Sequence, residues 1–375
     1  MKYITSYLKK FLFFLSIFVA FSSSTYACTG FRIITKDKSV IYARTNEFAI
    51  PLYSQILFIP SGTKHSGVTP DGKNGIKWTD KYAILGANFE NLPLIMDGIN
   101  EKGLGVGAFF FPDFAKYQTY QPKQAKNSLA SWQLNNWILG NFTSVDEVKK
   151  ALPHIRVLDI KLKQFMNSKP PVHYFVYDQT GKSIVIEPIN GQLKVFDDPI
   201  GVITNAPPFD WHLINLRNYV NLTATNVPKL NLTGLKLTQT GQGSGMLGLP
   251  GDFTPPSRFV RTAALTQSAF PVTNAEQGVI LAWNIINNVN IFKGATRETA
   301  PNGMNIYNYT QWTIVADLNN KQIYFRTYDN PNIFMVDMKP LLNSKNYLMI
   351  PMERSPDYKN LTNSFQSAKL EQPET

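Results

Sequence analysis

Cys28 is the only cysteine among the 375 residues, and what precedes it decides what it can do. Lys2, Lys9 and Lys10 lead into an almost unbroken apolar run from Phe11 to Phe21. Thr25-Tyr26-Ala27 closes that run with small residues at the two positions a signal peptidase inspects. Residues 1–27 therefore read as a signal peptide, and a cut after Ala27 makes Cys28 the new N-terminus. One residue then carries both a thiol, a strong nucleophile, and an α-amine that can act as its general base. An α-amine of reference pKa about 7.7–8.0 keeps a useful neutral fraction near pH 7. Three plainer readings compete. A lone cysteine is often a small buried hydrophobe. A lipoprotein signal places Leu, then Ala or Ser, where this chain has Thr25 and Tyr26. A retained membrane anchor needs a longer apolar run than this one.

Composition narrows the setting. The formal net charge is +11, and the signal carries three lysines and no acid, so the mature chain stands at +8. That charge is dispersed, with no run longer than pairs such as Lys149-Lys150, which argues against a nucleic-acid face and for attraction of small anions. With one cysteine no intrachain disulfide forms. His65, His154, His173 and His212 lack metal-ligand spacing and read as surface or hydrogen-bonded core histidines. No cofactor and no metal is expected.

The elements that must position Cys28 follow from pattern. Cys28 to Ile34 reads as a strand, Lys36-Asp37-Lys38 as a turn and Ser39 to Arg44 as the returning strand, which brings Arg44 beside Cys28. Further strands are expected over 52–60, 82–89, 104–111, 172–177, 183–188, 192–196 and 201–204, with a last hairpin over 310–318 and 321–328. Helices are expected over 128–139, from the Ser144 cap to near Pro153, and over 209–219, 257–270 and 274–288. Residues 221–248 form a long Gly-, Thr- and Asn-rich segment, suited to a functional loop or an assembly arm. The order of strands and helices predicts an α+β fold, a four-layer αββα sandwich of two antiparallel sheets flanked by helices. Residues 28–352 form one domain, and 353–375 a polar tail expected to fray.

Several ordered blocks share one resemblance. They are Cys28-Thr29-Gly30-Phe31, Arg44-Thr45-Asn46-Glu47, Asn100-Glu101-Lys102-Gly103-Leu104, Phe109-Phe110-Phe111-Pro112, Thr204-Asn205, Gly248 to Phe253 followed by Ser257-Arg258, and Thr310-Gln311-Trp312-Thr313. Together they resemble the choloylglycine hydrolase family, which includes bile salt hydrolases and penicillin V acylases, over nearly all the mature chain. The resemblance implies an N-terminal-nucleophile hydrolase fold and a cysteine amidase working through an acyl-enzyme. It departs at Glu47, where the family usually has Asp, and at Phe110, where it often has Asn or Tyr.

The implied roles are chemically sensible. Arg44 places a permanent cation beside the thiol. Glu47 orients the amine. Asn205 and the Phe110 N–H hold the oxyanion. Arg258 balances developing charge, with Arg261 the alternative. Phe109 to Phe111, with Phe114 nearby, suit an apolar acyl group. The expected substrate is a small anionic N-acyl amide of the conjugated bile salt or penicillin V type, cleaved by an exported, periplasmic or secreted enzyme. N-acyl homoserine lactones are an alternative substrate. A non-catalytic, lipid-anchored envelope binding protein is the alternative function. The family resemblance also allows a homotetramer; no nucleic acid and no stable membrane span are expected. Sequon matches such as Asn141-Phe142-Thr143 arise by chance in an Asn-rich chain.

Overall fold

The computed structural model describes residues 27–299 and 305–368; the expected signal segment before Ala27 lies outside them. Cys28–Ile34 and Val40–Phe48 pair antiparallel across the Lys36–Lys38 turn, in a register that sets Cys28 opposite Asn46 and Gly30 opposite Arg44. Tyr309–Asp317 flanks the second strand on its other edge, and Gln322–Thr327 and then Phe334–Asp337 extend the sheet beyond it. Val202–Ile203 closes the near edge against Cys28–Ile34. That makes a six-stranded antiparallel sheet.

A second sheet of eight strands runs from Gln192–Asp197 through Ser183–Ile189, Val172–Asp178, Leu104–Phe110, Ile95–Asn100, Ile84–Asn88 and Gln55–Ile59 to Leu348–Pro351. The two sheets face each other over Tyr42, Phe109, Phe175, Tyr177, Ile314 and Phe325, all buried. Each such large apolar side chain contributes about 1.5–3 kcal/mol on burial. Helices Pro255–Ser268 and Ala275–Ile286 cover the outside of the first sheet. Leu134–Asn141 and Val145–Ala151 cover the second through Leu134, Trp137, Ile138 and Val148. This is the expected four-layer αββα sandwich.

Local chemistry sets the helix starts. Ser144 Oγ accepts from the Glu147 N–H at 3.3 Å and Asn274 Oδ1 from the Gln277 N–H at 3.0 Å, each relieving an unpaired N-terminal donor. Pro255 and Pro256 need no such partner.

Four expectations are corrected. Ser128–Ala130 is a short strand parallel to Arg156–Leu158, and the α-helix begins only at Leu134. Apolar spacing over so few residues does not separate the two conformations. Phe209–Asn215 is α-helical, but Leu216–Tyr219 tightens into a 3₁₀ turn. Phe334–Asp337 and Leu348–Pro351 are edge strands too short and too exposed to show alternation. The tail is held as far as Asp357, because Asn330 and Asn332 donate their side-chain amides to the carbonyls of Ser355 and Asp357. Within the long segment 221–248 a small hairpin pairs Leu230–Leu232 with Leu235–Leu237, its four leucines exposed.

Every residue of Val40–Phe48 is buried, because sheet, helix and second sheet surround it. Four consecutive members, Arg44, Thr45, Asn46 and Glu47, are polar. Burying such groups is costly unless each is paired, so their partners define the interior of the site.

Candidate active site

Cys28 is buried at the start of its strand, and two arginines meet it from opposite sides. On the sulfur side, Arg44 Nη2 lies 3.7 Å from Cys28 Sγ. The same nitrogen donates to Asn46 Oδ1 at 3.0 Å and to the Ala108 carbonyl at 2.5 Å. Nη1 donates to the Met96 carbonyl at 3.2 Å and pairs with Asp97 Oδ2 at 3.1 Å. The guanidinium also lies 4.3 Å from the centre of the Phe109 ring. Burial opposes the charge of Arg44, but the Cys28 sulfur, Asp97 and Tyr42 outweigh it, so the guanidinium is held above its ordinary range. Asp97 comes from the second sheet and also accepts from Tyr42 Oη at 2.9 Å. Burial pushes its carboxyl up to about 6, against the pull of Arg44. Its approach requires Gly107: a Cβ there would collide with Asp97 Oδ2.

On the backbone side, Arg258 is as deeply buried as Arg44. Its Nη1 donates to the Cys28 carbonyl at 2.6 Å and to Thr29 Oγ1 at 2.5 Å, and its Nη2 to Asn205 Oδ1 at 2.9 Å. Burial lowers it to about 10, with Glu47 and Cys28 opposing. Asn205 Oδ1 also accepts the Cys28 N–H at 2.6 Å. Two donors on Oδ1 fix the orientation of the amide, and Nδ2 donates to the Phe110 carbonyl at 2.7 Å. The segment behind it is pinned by histidines: His173 Nε2 meets the Thr204 carbonyl at 2.9 Å and His212 Nε2 the Asn205 carbonyl at 3.0 Å. Burial drives His212 down to about 4, so it is neutral near pH 7 and donates its Nε2–H.

Glu47 sits between the two sides. Its Oε1 accepts from Thr310 Oγ1 at 2.5 Å, and its Oε2 has no hydrogen-bond partner among the described residues. Burial raises its carboxyl to about 7, with Arg258 and Thr310 opposing. Its N–H donates to the Ala27 carbonyl at 3.1 Å.

The structure thus brings Cys28, Arg44, Glu47, Phe110, Asn205 and Arg258 together. It decides between the two C-terminal arginines: Arg261 turns away, to the carbonyls of Asn288, Pro250 and Asp252. It also divides the aromatic run. Phe110 lines the cavity at Cys28, whereas Phe109 packs under Arg44 and Phe111 stacks on His173, with Phe114 against it. The cavity wall is instead built by Phe48, Leu52, Phe89, Met96, Phe165 and Val172, with Cys28, Arg44, Asn46 and Glu47 at one end. Sequence reasoning missed Asp97 and Asn46. Asn46 was legible as a same-face neighbour of Arg44, two residues along a strand; Asp97 comes from another sheet and left no local signal.

The chain is similar to known proteins over most of its length. Residues 28–349 match the model of the family described as linear amide C–N hydrolases, choloylglycine hydrolase family. A bile salt hydrolase/transferase from Clostridium perfringens is 37% identical over 313 residues, covering 83% of this chain and 92% of that protein. A penicillin V acylase from Pectobacterium atrosepticum is 27% identical over 340 residues, 85% of this chain and 83% of that one. The crystal structure of an arginine-to-leucine variant of conjugated bile acid hydrolase from Clostridium perfringens superposes with a TM-score of 0.78 at 34% identity, covering 89% of this chain and all of that one.

Proposed function

The chain belongs to the choloylglycine hydrolase family of linear amide C–N hydrolases, and we propose that it is an exported amidase that opens N-acyl amides with an apolar acyl group through a thioester on Cys28. The observation that carries this reading is the Cys28 sulfur, 3.7 Å from a buried arginine, at the polar end of an otherwise apolar cavity. Removal of residues 1–27 frees the Cys28 amine. That amine keeps its bond to Asn205 Oδ1 and gains hydrogens for the unpaired Oε2 of Glu47.

The amine takes the thiol proton as the sulfur attacks the acyl carbon. An S–C bond forms, and the carbonyl π pair moves onto oxygen. Asn205, with one Nδ2 hydrogen unspent, and the Phe110 N–H stabilise that oxygen. Collapse breaks the C–N bond, and the ammonium returns its proton to the leaving amine. Water then attacks the thioester carbonyl, one proton passes to the amine, and the acid departs as the thiol reforms. Arg44 holds the sulfur, and Arg258 holds the Cys28 carbonyl.

Conjugated bile salts are the preferred substrates, since the 37% identical relative bears a bile salt hydrolase name and the penicillin V acylase is 27% identical. Amine release should be measured from a conjugated bile salt, phenoxymethylpenicillin and an N-acyl homoserine lactone, with processed wild type and Cys28→Ser. Turnover of the first, lost in the serine variant with the fold retained, supports the proposal. Turnover within a few-fold of wild type in Cys28→Ser would remove the nucleophile assignment.

A further inference from the structure

We infer that Asn46 is a catalytic residue, whose side-chain N–H donates to the substrate carbonyl oxygen as it becomes an oxyanion. This rests on the thioester reading above.

The starting point is an unmet donor. Asn46 is buried, lines the cavity and stands opposite Cys28 in the strand pairing. Its Oδ1 accepts from Arg44 Nη2 at 3.0 Å and lies 3.8 Å from Cys28 Sγ. Turning the amide over would aim its NH2 at the guanidinium, donor against donor, so the orientation is fixed. Nδ2 then has no hydrogen-bond partner among the described residues, and both its hydrogens are unspent. A buried amide left that way carries an uncompensated desolvation cost. Such a cost persists where a ligand supplies the missing acceptor.

Most competing donors on the cavity wall are committed, Arg44 Nε and Ser131 Oγ excepted. Arg44 Nη1 and Nη2 serve Asp97, two carbonyls and Asn46 itself. Asn135, also on the cavity wall, gives its amide hydrogens to the carbonyls of Ile95 and Met96. Asn205 spends one amide hydrogen on the Phe110 carbonyl and grips Cys28 from its backbone side, which leaves a single hydrogen for the oxygen that Asn46 would share. Among the described residues Asn46 alone combines contact with the sulfur environment, a place on the cavity wall and two free N–H groups. An acyl carbon bonded to Sγ carries its oxygen within reach of a group at this position. Arg44 locks the amide in advance, so no reorganisation is needed when charge develops.

The test uses processed protein and phenoxymethylpenicillin or a conjugated bile salt, whichever the wild type turns over. Failure of wild type both to release amine and to be S-alkylated at Cys28 by iodoacetamide overturns the thioester reading itself. Where wild type is active, Asn46→Ala should lower kcat about 10²–10³-fold, the range for one oxyanion donor. KM and the iodoacetamide rate should stay within about threefold, because neither requires the oxyanion. A kcat within threefold of wild type overturns the inference. So does a parallel fall in kcat and alkylation, which would mean that Asn46 acts only by positioning Arg44. Asn46→Asp keeps the shape and the acceptor for Arg44 but not the donor. It should lose at least as much kcat, and it carries the same test if the alanine variant does not fold.

Discussion

Two fully buried arginines flank one cysteine, and they are charged under opposite conditions. Arg44, on the sulfur side, has a carboxylate counter-ion at 3.1 Å and is held above its ordinary range. Arg258, on the backbone side, meets only neutral oxygens directly and is lowered to about 10. A buried charge paired with a carboxylate and one spread over neutral dipoles both satisfy the hydrogen-bonding need, but they fail differently. Removing a member of the pair leaves an uncompensated ion. Removing the dipole-bound cation leaves only unpaired acceptors.

The largest effect should therefore come from Arg44→Met. It strands Asp97 and strips the sulfur of its cation. Urea unfolding should show a loss of about 3–5 kcal/mol, and amidase activity should fall to background. If the loss is no larger than for Arg258→Met, the contrast between the two sides is wrong. Arg258→Met should cost less, about 1–3 kcal/mol for the acceptors it abandons, with kcat reduced more than KM is raised. Gly107→Ala probes the pair without touching either ion. Its Cβ would displace Asp97, and such overpacking costs about 1–3 kcal/mol. Iodoacetamide labelling of Cys28 should slow in step, and unchanged labelling would show that Arg44 needs no Asp97 to hold the sulfur.

The remaining effect is the one on pH. Glu47 lies between the two arginines with its carboxyl raised from 4.5 to about 7. The folded chain thus binds this proton more tightly than the unfolded chain. Its contribution to stability is complete below about pH 4.5 and is lost as pH rises through about 7. Asp97, raised to about 6, adds a slope of the same sign. Thermal unfolding of the chain that retains Ala27 should show the melting temperature falling across that window. Glu47→Gln should flatten the slope. The processed chain, with a cationic amine available to Glu47, should show a shallower slope than the uncut one. Equal slopes would separate Glu47 from the amine.

Legibility in the sequence followed the same division. The hairpin turn at Lys36–Lys38 was plain, and a turn of known length fixes register, so Arg44 could be placed beside Cys28 from sequence. The Ser144 cap was equally visible, because its partner is three residues away. Asn205 and Arg258 came from resemblance of ordered blocks; the strand pairing of 202–203 with 30–31 brings Asn205 to Cys28, and no local pattern encodes that pairing. Asp97 was not singled out, since nothing around it in sequence announces a salt bridge to residue 44. The strand at Ser128–Ala130 was read as helix because three apolar-flanked residues carry no period of their own.

The Ala27 carbonyl, held by the Glu47 N–H at 3.1 Å in a buried position, has a consequence in time. A peptidase must draw several residues around its target bond into an extended cleft. Once Cys28–Ile34 has joined the sheet, the bond between Ala27 and Cys28 is enclosed by the fold it precedes. Under the proposed removal of residues 1–27, the cut has to come first, while the chain is still unpaired. On that proposal maturation is a race between a protease and a strand: a molecule that closes too early would stay a silent precursor.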